Sequence, residues 1–144
     1  RTQHYGYKYD YTGKGAEYIG ELPDWLNSVV DMCMKSGVLS TDKPRPNQAI
    51  INEYLPGQGI SAHTDAKVFG DVICSISLGS NVIMEFSKGS EVKEILLHQK
   101  SIIVLENEAR YNWKHSIPAR KYDVVNGLTV ERGRRISITF RTVN

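Results

Sequence analysis

Three side chains in this sequence have the types and spacing of a metal site. His63 and Asp65 are separated only by Thr64, so they lie on one face if the chain is extended there. His115 supplies a second imidazole further along the chain. Two histidines and one carboxylate leave three positions open on an octahedral Fe(II), enough for dioxygen and a chelating 2-oxo acid. Taken singly, His115 is better explained as a packed or surface histidine, so the prediction depends on the joint pattern.

The last strand-like segment, RRISITFR, has a polar face that suits an anion. Alternate side chains along a strand share a face, so one face carries Arg135, Ser137, Thr139 and Arg141. The opposite face is predicted to be core and carries Ile136, Ile138 and Phe140. A guanidinium pairs with a carboxylate through two charge-assisted hydrogen bonds, so two arginines on one face suit a dicarboxylate. The alternative is a polar face that is simply wetted by solvent.

An earlier segment, AIINEYLP, offers groups that complement this polar face. Asn52 and Tyr54 point to one side of the strand, whereas Ile51, Glu53 and Leu55 point to the other. An amide and a phenol on one face can complete the hydrogen bonding of a bound carboxylate. The alternative for Tyr54 is a half-buried tyrosine without a ligand.

The elements that must position these residues are one helix followed by many short strands. ELPDWLNSVVDMCMKSG predicts an amphipathic helix, with Pro23 in its first turn and Gly37 as its terminator. Strands are expected near 47–55, 71–78, 81–87, 92–97, 101–106 and 134–142, and His98 is expected at a strand end. His4 lies outside these patterns. The order predicts one domain, 1–144, mostly β with helical support, with a sandwich or barrel such as a double-stranded β-helix (jelly roll) at its core.

Composition narrows the class further. A net charge of +2 does not mark a general polyanion binder, and no apolar run approaches the ~20 residues of a membrane span. Cys33 and Cys74 have no metal-site spacing, so they are predicted to be buried reduced thiols in an intracellular protein, cytoplasmic or nuclear. Basic residues are dense late in the chain, which indicates either a solvated rim or a phosphate-facing edge; they are Arg110, Lys114, Arg120, Lys121, Arg132, Arg134, Arg135 and Arg141.

Together these motifs resemble the AlkB family of Fe(II)- and 2-oxoglutarate-dependent dioxygenases. The succession N-x-Y-x-P-G-x-x-I-x-x-H-x-D, then a distal histidine within RYNWKHSI, then R-x-S-x-T-x-R, spans nearly the whole chain in the family's order. The resemblance implies that His63, Asp65 and His115 bind Fe(II). It also implies that Asn52, Tyr54, Arg135, Ser137 and Arg141 surround 2-oxoglutarate, with Arg135 on the far carboxylate and O2 as the second co-substrate.

The resemblance implies a nucleic-acid substrate, and three features bear on which one. DNA-repair members have acidic residues just after H-x-D, where this chain has Ala66 and Lys67, and a lysine would repel a cationic methylated base. Ser137 stands where bacterial members typically have asparagine. Alternate tyrosines near the N-terminus suit a lid that stacks a flipped nucleotide, or else pack on the core as an edge strand. The expected substrate-contacting residues are Tyr5, Tyr7, Tyr9, Lys67 and Arg110.

The whole pattern is most similar to the oxygenase domain of the AlkB homologue that hydroxylates a carboxymethyl-type side chain on wobble uridine in tRNA. That relative carries an RNA-recognition domain before and a methyltransferase domain after its oxygenase domain. We therefore expect missing flanking domains or a separate methyltransferase partner, and an N-terminal lid that is truncated before Arg1. The alternatives are an oxidative demethylase of alkylated bases in RNA or DNA, and an inactive metal-binding jelly-roll module.

Overall fold

The computed structural model describes residues 1–13 and 15–144. In chain order its elements are β1 (Thr2–Tyr5), β2 (Tyr7–Tyr9), β3 (Ala16–Tyr18), α1 (Asp24–Lys35), β4 (Gln48–Tyr54), β5 (Ile60–His63), β6 (Ile73–Gly79), β7 (Val82–Lys88), β8 (Glu91–Leu97), β9 (Ser101–Leu105), α2 (Asn107–Tyr111), β10 (Lys114–Ile117), β11 (Tyr122–Val125), β12 (Leu128–Glu131) and β13 (Arg135–Arg141). All six strands predicted from the sequence are present, and so is the predicted helix.

Two antiparallel sheets form the body of the molecule. The major sheet has the strand order β1-β4-β13-β6-β9, and the minor sheet has the order β5-β10-β7-β8. Apart from β7 and β8, neighbours in these orders are not consecutive in sequence, as expected when one antiparallel chain winds between two facing sheets. The predicted jelly-roll core is confirmed. Two further hairpins, β2-β3 and β11-β12, lie beside it.

The helix α1 covers the outer face of the major sheet. Its apolar stripe, with Leu26, Val30 and Cys33 buried, packs against side chains that include Ala49 and Phe140. Phe140 is fully buried, which confirms that the apolar face of β13 is core. Because that face is turned to the helix, the opposite face of β13, with both arginines, is turned to the space between the sheets.

A second apolar cluster lies between the two sheets and is built around Met84, Phe86 and Leu105. It fills one part of the interior and leaves the polar faces of β4 and β13 lining a cavity. Cys33 and Cys74 are buried and free, as predicted. Among the described residues, no helix is long and apolar enough to cross a membrane.

Candidate active site

Strand pairing in the minor sheet brings the three predicted metal ligands together. His63 ends β5 and stands directly opposite His115 of β10, and the ladder shifts register just beyond this pair. Asp65 follows in the loop after β5, and its Oδ1 lies 3.7 Å from His63 Nε2 and 3.3 Å from His115 Nε2. The ligand atoms of all three residues lie within 4.8 Å of one another, which is the spacing of a metal-binding cluster.

The imidazole of His63 is set up to present Nε2 as the ligand atom. Nδ1 of His63 lies 2.7 Å from the carbonyl oxygen of Ser61, and a proton on Nδ1 leaves the Nε2 lone pair free. Burial, with a further contribution from the nearby His115, lowers the pKa of His63. A lowered pKa keeps this imidazole neutral, which is the form that binds a metal.

Asp65 is held as an anion with one oxygen free for a metal. Its Oδ2 accepts a hydrogen bond of 2.8 Å from Arg141 Nη1, and its side chain is 7% exposed. Burial alone raises the pKa of Asp65, but the hydrogen bond to His115 and the charge of Arg141 together outweigh it and hold the pKa well below its usual range. Asp65 therefore stays ionised at neutral pH.

Arg135 lines the same cavity, and two of its three guanidinium nitrogens lack a hydrogen-bond partner among the described residues. It is 3% exposed; Nη2 donates to Ser77 Oγ at 3.0 Å, whereas Nε and Nη1 are buried and bond to nothing among the described residues. Its guanidinium lies 5.4 Å from the ring centre of Tyr54, its partner on β4. A buried cation with two unsatisfied donors requires an anion. The far carboxylate of 2-oxoglutarate would supply one, so the residues present fit this co-substrate.

One cavity of about 850 Å³ joins the triad to Arg135. Asn52 and Ser137, which pair across β4 and β13, also line it, and Asn52 accepts a hydrogen bond of 2.6 Å from Thr2 Oγ1. Arg141 lines the part of the cavity next to Asp65. The direct contact of Asn52, Ser137 and Arg141 with 2-oxoglutarate stays a prediction.

The proposed substrate-contacting tyrosines divide into two groups. Tyr9 lines the cavity, with its ring centre 5.3 Å from that of Phe69, and so does Tyr11. Tyr5 does not, because it faces away from the cavity and packs edge-on against Trp25 over the helical core. Tyr7 stacks on Tyr18 of the neighbouring strand instead. Neither Tyr5 nor Tyr7 lines the cavity, and a role for them in a lid over the substrate stays a prediction.

Arg110 does not reach the cavity either. It is 2% exposed, does not line the cavity, and uses four of its five guanidinium donors on main-chain carbonyls. Two of the late arginines pair with carboxylates of the protein. Arg132 is buried and pairs with Asp123, while Arg134 is 60% exposed and pairs with Glu53 on the outer face. Lys114 and Lys121 are exposed, so the solvated rim and the phosphate-facing edge both stay predictions.

Two residues that support the site were missed by sequence reasoning. Gln48 is fully buried, and its Oε1 accepts a hydrogen bond of 2.9 Å from Arg141 Nε. The ring of Phe69 lies 3.7 Å from the Arg141 guanidinium carbon. Gln48 could have been predicted to face the site, because alternation along β4 places it on the same face as Asn52 and Tyr54. Phe69 could not, since it belongs to a loop.

This combination of fold and site defines a class of protein. A sequence profile described as the 2OG-Fe(II) oxygenase superfamily matches residues 1–141, and the chain belongs to that superfamily. Membership confirms the predicted class, an enzyme of the Fe(II)- and 2-oxoglutarate-dependent dioxygenases, with O2 as the other co-substrate. The metal ligands predicted for it are the three residues that the structure brings together.

The predicted resemblance to AlkB proteins is also confirmed. The chain is 34% identical over 165 aligned residues to tRNA (carboxymethyluridine(34)-5-O)-methyltransferase alkbh8 of Xenopus tropicalis, covering 99% of this chain and 26% of that protein. It is 41% identical over 127 residues to an uncharacterized protein of Acanthamoeba polyphaga mimivirus, covering 85% of this chain and 59% of that one. The fold matches the solved structure of OsALKBH1 with a TM-score of 0.69 and 16% identity, over 98% and 77% of the two chains. The chain thus spans only part of the curated relatives.

Proposed function

We propose that this domain hydroxylates a carboxymethyl-type side chain on the wobble uridine of tRNA. The observation that carries the proposal is similarity along 99% of the chain to a relative whose name specifies carboxymethyluridine(34) in tRNA. The position of Lys67 in the cavity wall supports it, because a cation there favours an anionic side chain over a cationic methylated base. The tRNA partner and the single-domain span 1–144 are parts of the same proposal.

The residues of this chain have separate tasks in that reaction. When bound, Fe(II) with 2-oxoglutarate and O2 supplies the oxidising power to insert oxygen into a C–H bond, as 2-oxoglutarate is converted to succinate and carbon dioxide. His63, Asp65 and His115 hold the metal, and Arg135 fixes the far end of the co-substrate. Arg141 keeps Asp65 ionised, and its hydrogen bond to Oδ2 orients the carboxylate so that Oδ1 faces the two histidines. Holding these groups fixed places the reacting C–H group close to the metal.

The outer cavity supplies the contacts proposed for the nucleotide. Tyr9 and Tyr11 form an edge-to-face pair with ring centres 4.8 Å apart, and Tyr11 is 66% exposed. Tyr9 is half-buried, and an exposed tyrosine such as Tyr11 beside a deep cavity can stack on an unpaired base of RNA. Lys67 is exposed in the same wall. Together they provide an aromatic surface and a positive charge at the entrance.

An inactive jelly-roll module is a poorer explanation of the same site. Such a module has no need for a buried arginine with two unsatisfied donors, which costs stability unless an anion is bound. A methyltransferase partner or flanking domains, and an intracellular location, stay predictions.

Mass spectrometry of nucleosides tests the proposed substrate. The protein is incubated with Fe(II), 2-oxoglutarate and hypomodified tRNA, and the wobble nucleoside is expected to gain the mass of one oxygen. The matched control is Asp65→Ala, which removes a metal ligand and should give no gain. Loss of a methyl group from methylated oligonucleotides, without oxidation of the wobble nucleoside, would contradict the proposal and indicate a demethylase.

A further inference from the structure

Arg110 is an internal cation around which a whole loop is folded. Its Nε donates to the carbonyl of Gly70 at 2.9 Å, and Nη1 donates to that of Asp65 at 3.0 Å. Nη2 donates to the carbonyls of Ala66 and Phe69, each at 3.0 Å. Four carbonyls from one short loop therefore converge on a single guanidinium, which is itself 2% exposed.

Besides these carbonyls, the guanidinium contacts the ring of Tyr111, whose centre lies 4.5 Å from the guanidinium carbon. Within residues 1–13 and 15–144, no carboxylate forms an ion pair with Arg110, so the carbonyl dipoles are its only hydrogen-bonding partners. The dependence is mutual, because without the guanidinium four carbonyl oxygens would face one another in a buried space. Without the guanidinium, we expect the loop 65–70 to open so that water can hydrogen-bond these carbonyl oxygens.

That loop carries a predicted iron ligand and its support. It begins at Asp65, and it ends where Gly70 N donates to the carbonyl of Thr142 at 3.0 Å. Phe69, within the loop, lies under the guanidinium of Arg141, which in turn holds Asp65. Both the main chain and the carboxylate of Asp65 thus depend on the loop's conformation.

Arg110 also ties this loop to the other ligand strand. It lies in α2, which immediately precedes β10, and β10 carries His115. One continuous segment therefore provides a metal ligand and the group that folds the loop of another ligand. We infer that Arg110 is a positioning residue for the metal site, which sets Asp65 against His63 and His115 and never touches substrate or metal.

Lysine is not an adequate replacement, which gives the test its selectivity. Arg110 reaches its four acceptors from three different nitrogens spread over a planar fork. A lysine ammonium has three donors on one atom and cannot span the same set. Arg110→Lys keeps the charge, so any effect on the site reports the lost hydrogen-bond geometry.

Arg132 offers a matched control elsewhere in the fold. It is equally a buried arginine, and its guanidinium donates to both oxygens of Asp123 and to the carbonyl of Pro118. It does not contact the loop 65–70. Arg132→Lys should lower stability by a comparable mechanism without disturbing the triad.

Metal binding by the protein without 2-oxoglutarate is the first readout, with Mn(II) as the probe in isothermal titration. For Arg110→Lys the Kd is expected to rise by about 10–100-fold, the range found when outer partners of metal ligands are removed. Arg132→Lys should bind Mn(II) as the unaltered protein does. Hydrogen exchange read by mass spectrometry is expected to speed up in the loop 65–70 of metal-free Arg110→Lys, and the Co(II) absorption spectrum of this variant should shift.

Three results would overturn this role of Arg110. The first is an unchanged Mn(II) Kd or unchanged exchange in the loop 65–70. The second is an equal loss of Mn(II) affinity in Arg110→Lys and Arg132→Lys, which would indicate general destabilisation. The third is the absence of cooperative thermal unfolding in Arg110→Lys, which would assign the residue to the core. Failure of the tRNA assay alone, with these metal-binding differences intact, would count only against the proposed substrate.

Discussion

Arg141 Nη1 donates to Asp65 Oδ2 at 2.8 Å, which leaves Oδ1 of the same carboxylate facing both histidines. Oδ2 is thus occupied by a hydrogen bond within the protein, whereas Oδ1 is free to bind a metal. Arg141 is itself fixed, because its Nε donates to Gln48 Oε1. The pair comes from a loop of one sheet and a strand of the other, so it also links the two sheets across the site.

Arg141→Met is therefore expected to weaken metal binding without removing a ligand. The substitution removes the hydrogen bond that orients the Asp65 carboxylate and the positive charge that helps to keep its pKa low. The Mn(II) Kd should therefore rise by about 10–100-fold at neutral pH. Calorimetric titration measures the change. Arg45→Met is the control, since Arg45 forms an exposed ion pair with Asp31. An Arg141→Met protein with ordinary Mn(II) affinity would show that the pair does not support the site.

Arg135→Met should separate co-substrate binding from metal binding. Two hydrogen bonds from a charged donor to 2-oxoglutarate are removed, each contributing about 1.5–3 kcal/mol, so affinity should fall by at least about 100-fold. Mn(II) affinity should not change. The neighbouring Arg134 makes a close control, because it is 60% exposed on the opposite face and pairs with Glu53. Equal effects of Arg134→Met and Arg135→Met on 2-oxoglutarate affinity would exclude the assigned role.

Lys67→Glu is expected to change which nucleosides are accepted. Replacing the positive charge in the cavity wall by a negative one should lower turnover of a wobble uridine with an anionic side chain and raise that of a cationic methylated base. A change of about 1.4 kcal/mol between them corresponds to ten-fold in their ratio. Competition assays read by mass spectrometry measure it, with Lys35→Glu on α1 as control. An unaltered ratio would remove Lys67 from the specificity determinants.

Cys74 makes the folded protein sensitive to alkaline pH. Burial, together with the neighbouring Cys33 thiol, raises the pKa of Cys74 from 9.0 to about 12. A group whose pKa is raised on folding stabilises the folded state below its unfolded pKa, and that contribution is lost as pH rises through the folded pKa. The free energy of unfolding should therefore fall between pH 9 and 12, by up to about 1.4 kcal/mol per pH unit.

Guanidinium unfolding of the unaltered protein and of Cys74→Ala measures this effect. At pH 7 to 8 the two should differ by a constant amount, because both thiol pKa values lie above that range. Their difference in unfolding free energy should then shrink above pH 9. A difference that stays constant up to pH 11 would mean that Cys74 is not buried as a protonated thiol.

The sequence was most informative where regular periodicity and chemistry coincide. Strand β13 alternates polar and apolar residues over its whole length, with arginine at both ends, so its two faces and its cavity-facing arginines were predictable. The helix α1 likewise had a clear apolar stripe. The short strands β5 and β10 were missed, because four residues of mixed polarity carry little periodic signal.

Residues whose role depends on tertiary contacts were predicted less well. Arg110 was expected to contact the substrate, and only the fold of the loop 65–70 shows why it is buried. Tyr5 and Tyr9 have the same parity within an alternating run, but Gly6, with a φ of +76°, lies between β1 and β2 and interrupts it. Strand parity cannot be carried across such a turn, so the faces of Tyr5 and Tyr9 were not predictable together.

Anaerobic titration of the protein with Fe(II) and 2-oxoglutarate tests the central claim most directly. If His63, Asp65 and His115 hold iron beside the co-substrate held by Arg135, a weak absorption band is expected at roughly 500 nm, since the 2-oxo acid chelates the metal through an open face of the triad. Asp65→Ala should lose the band while keeping its cooperative thermal unfolding. Absence of the band in the unaltered protein, or its persistence in Asp65→Ala, would contradict the account.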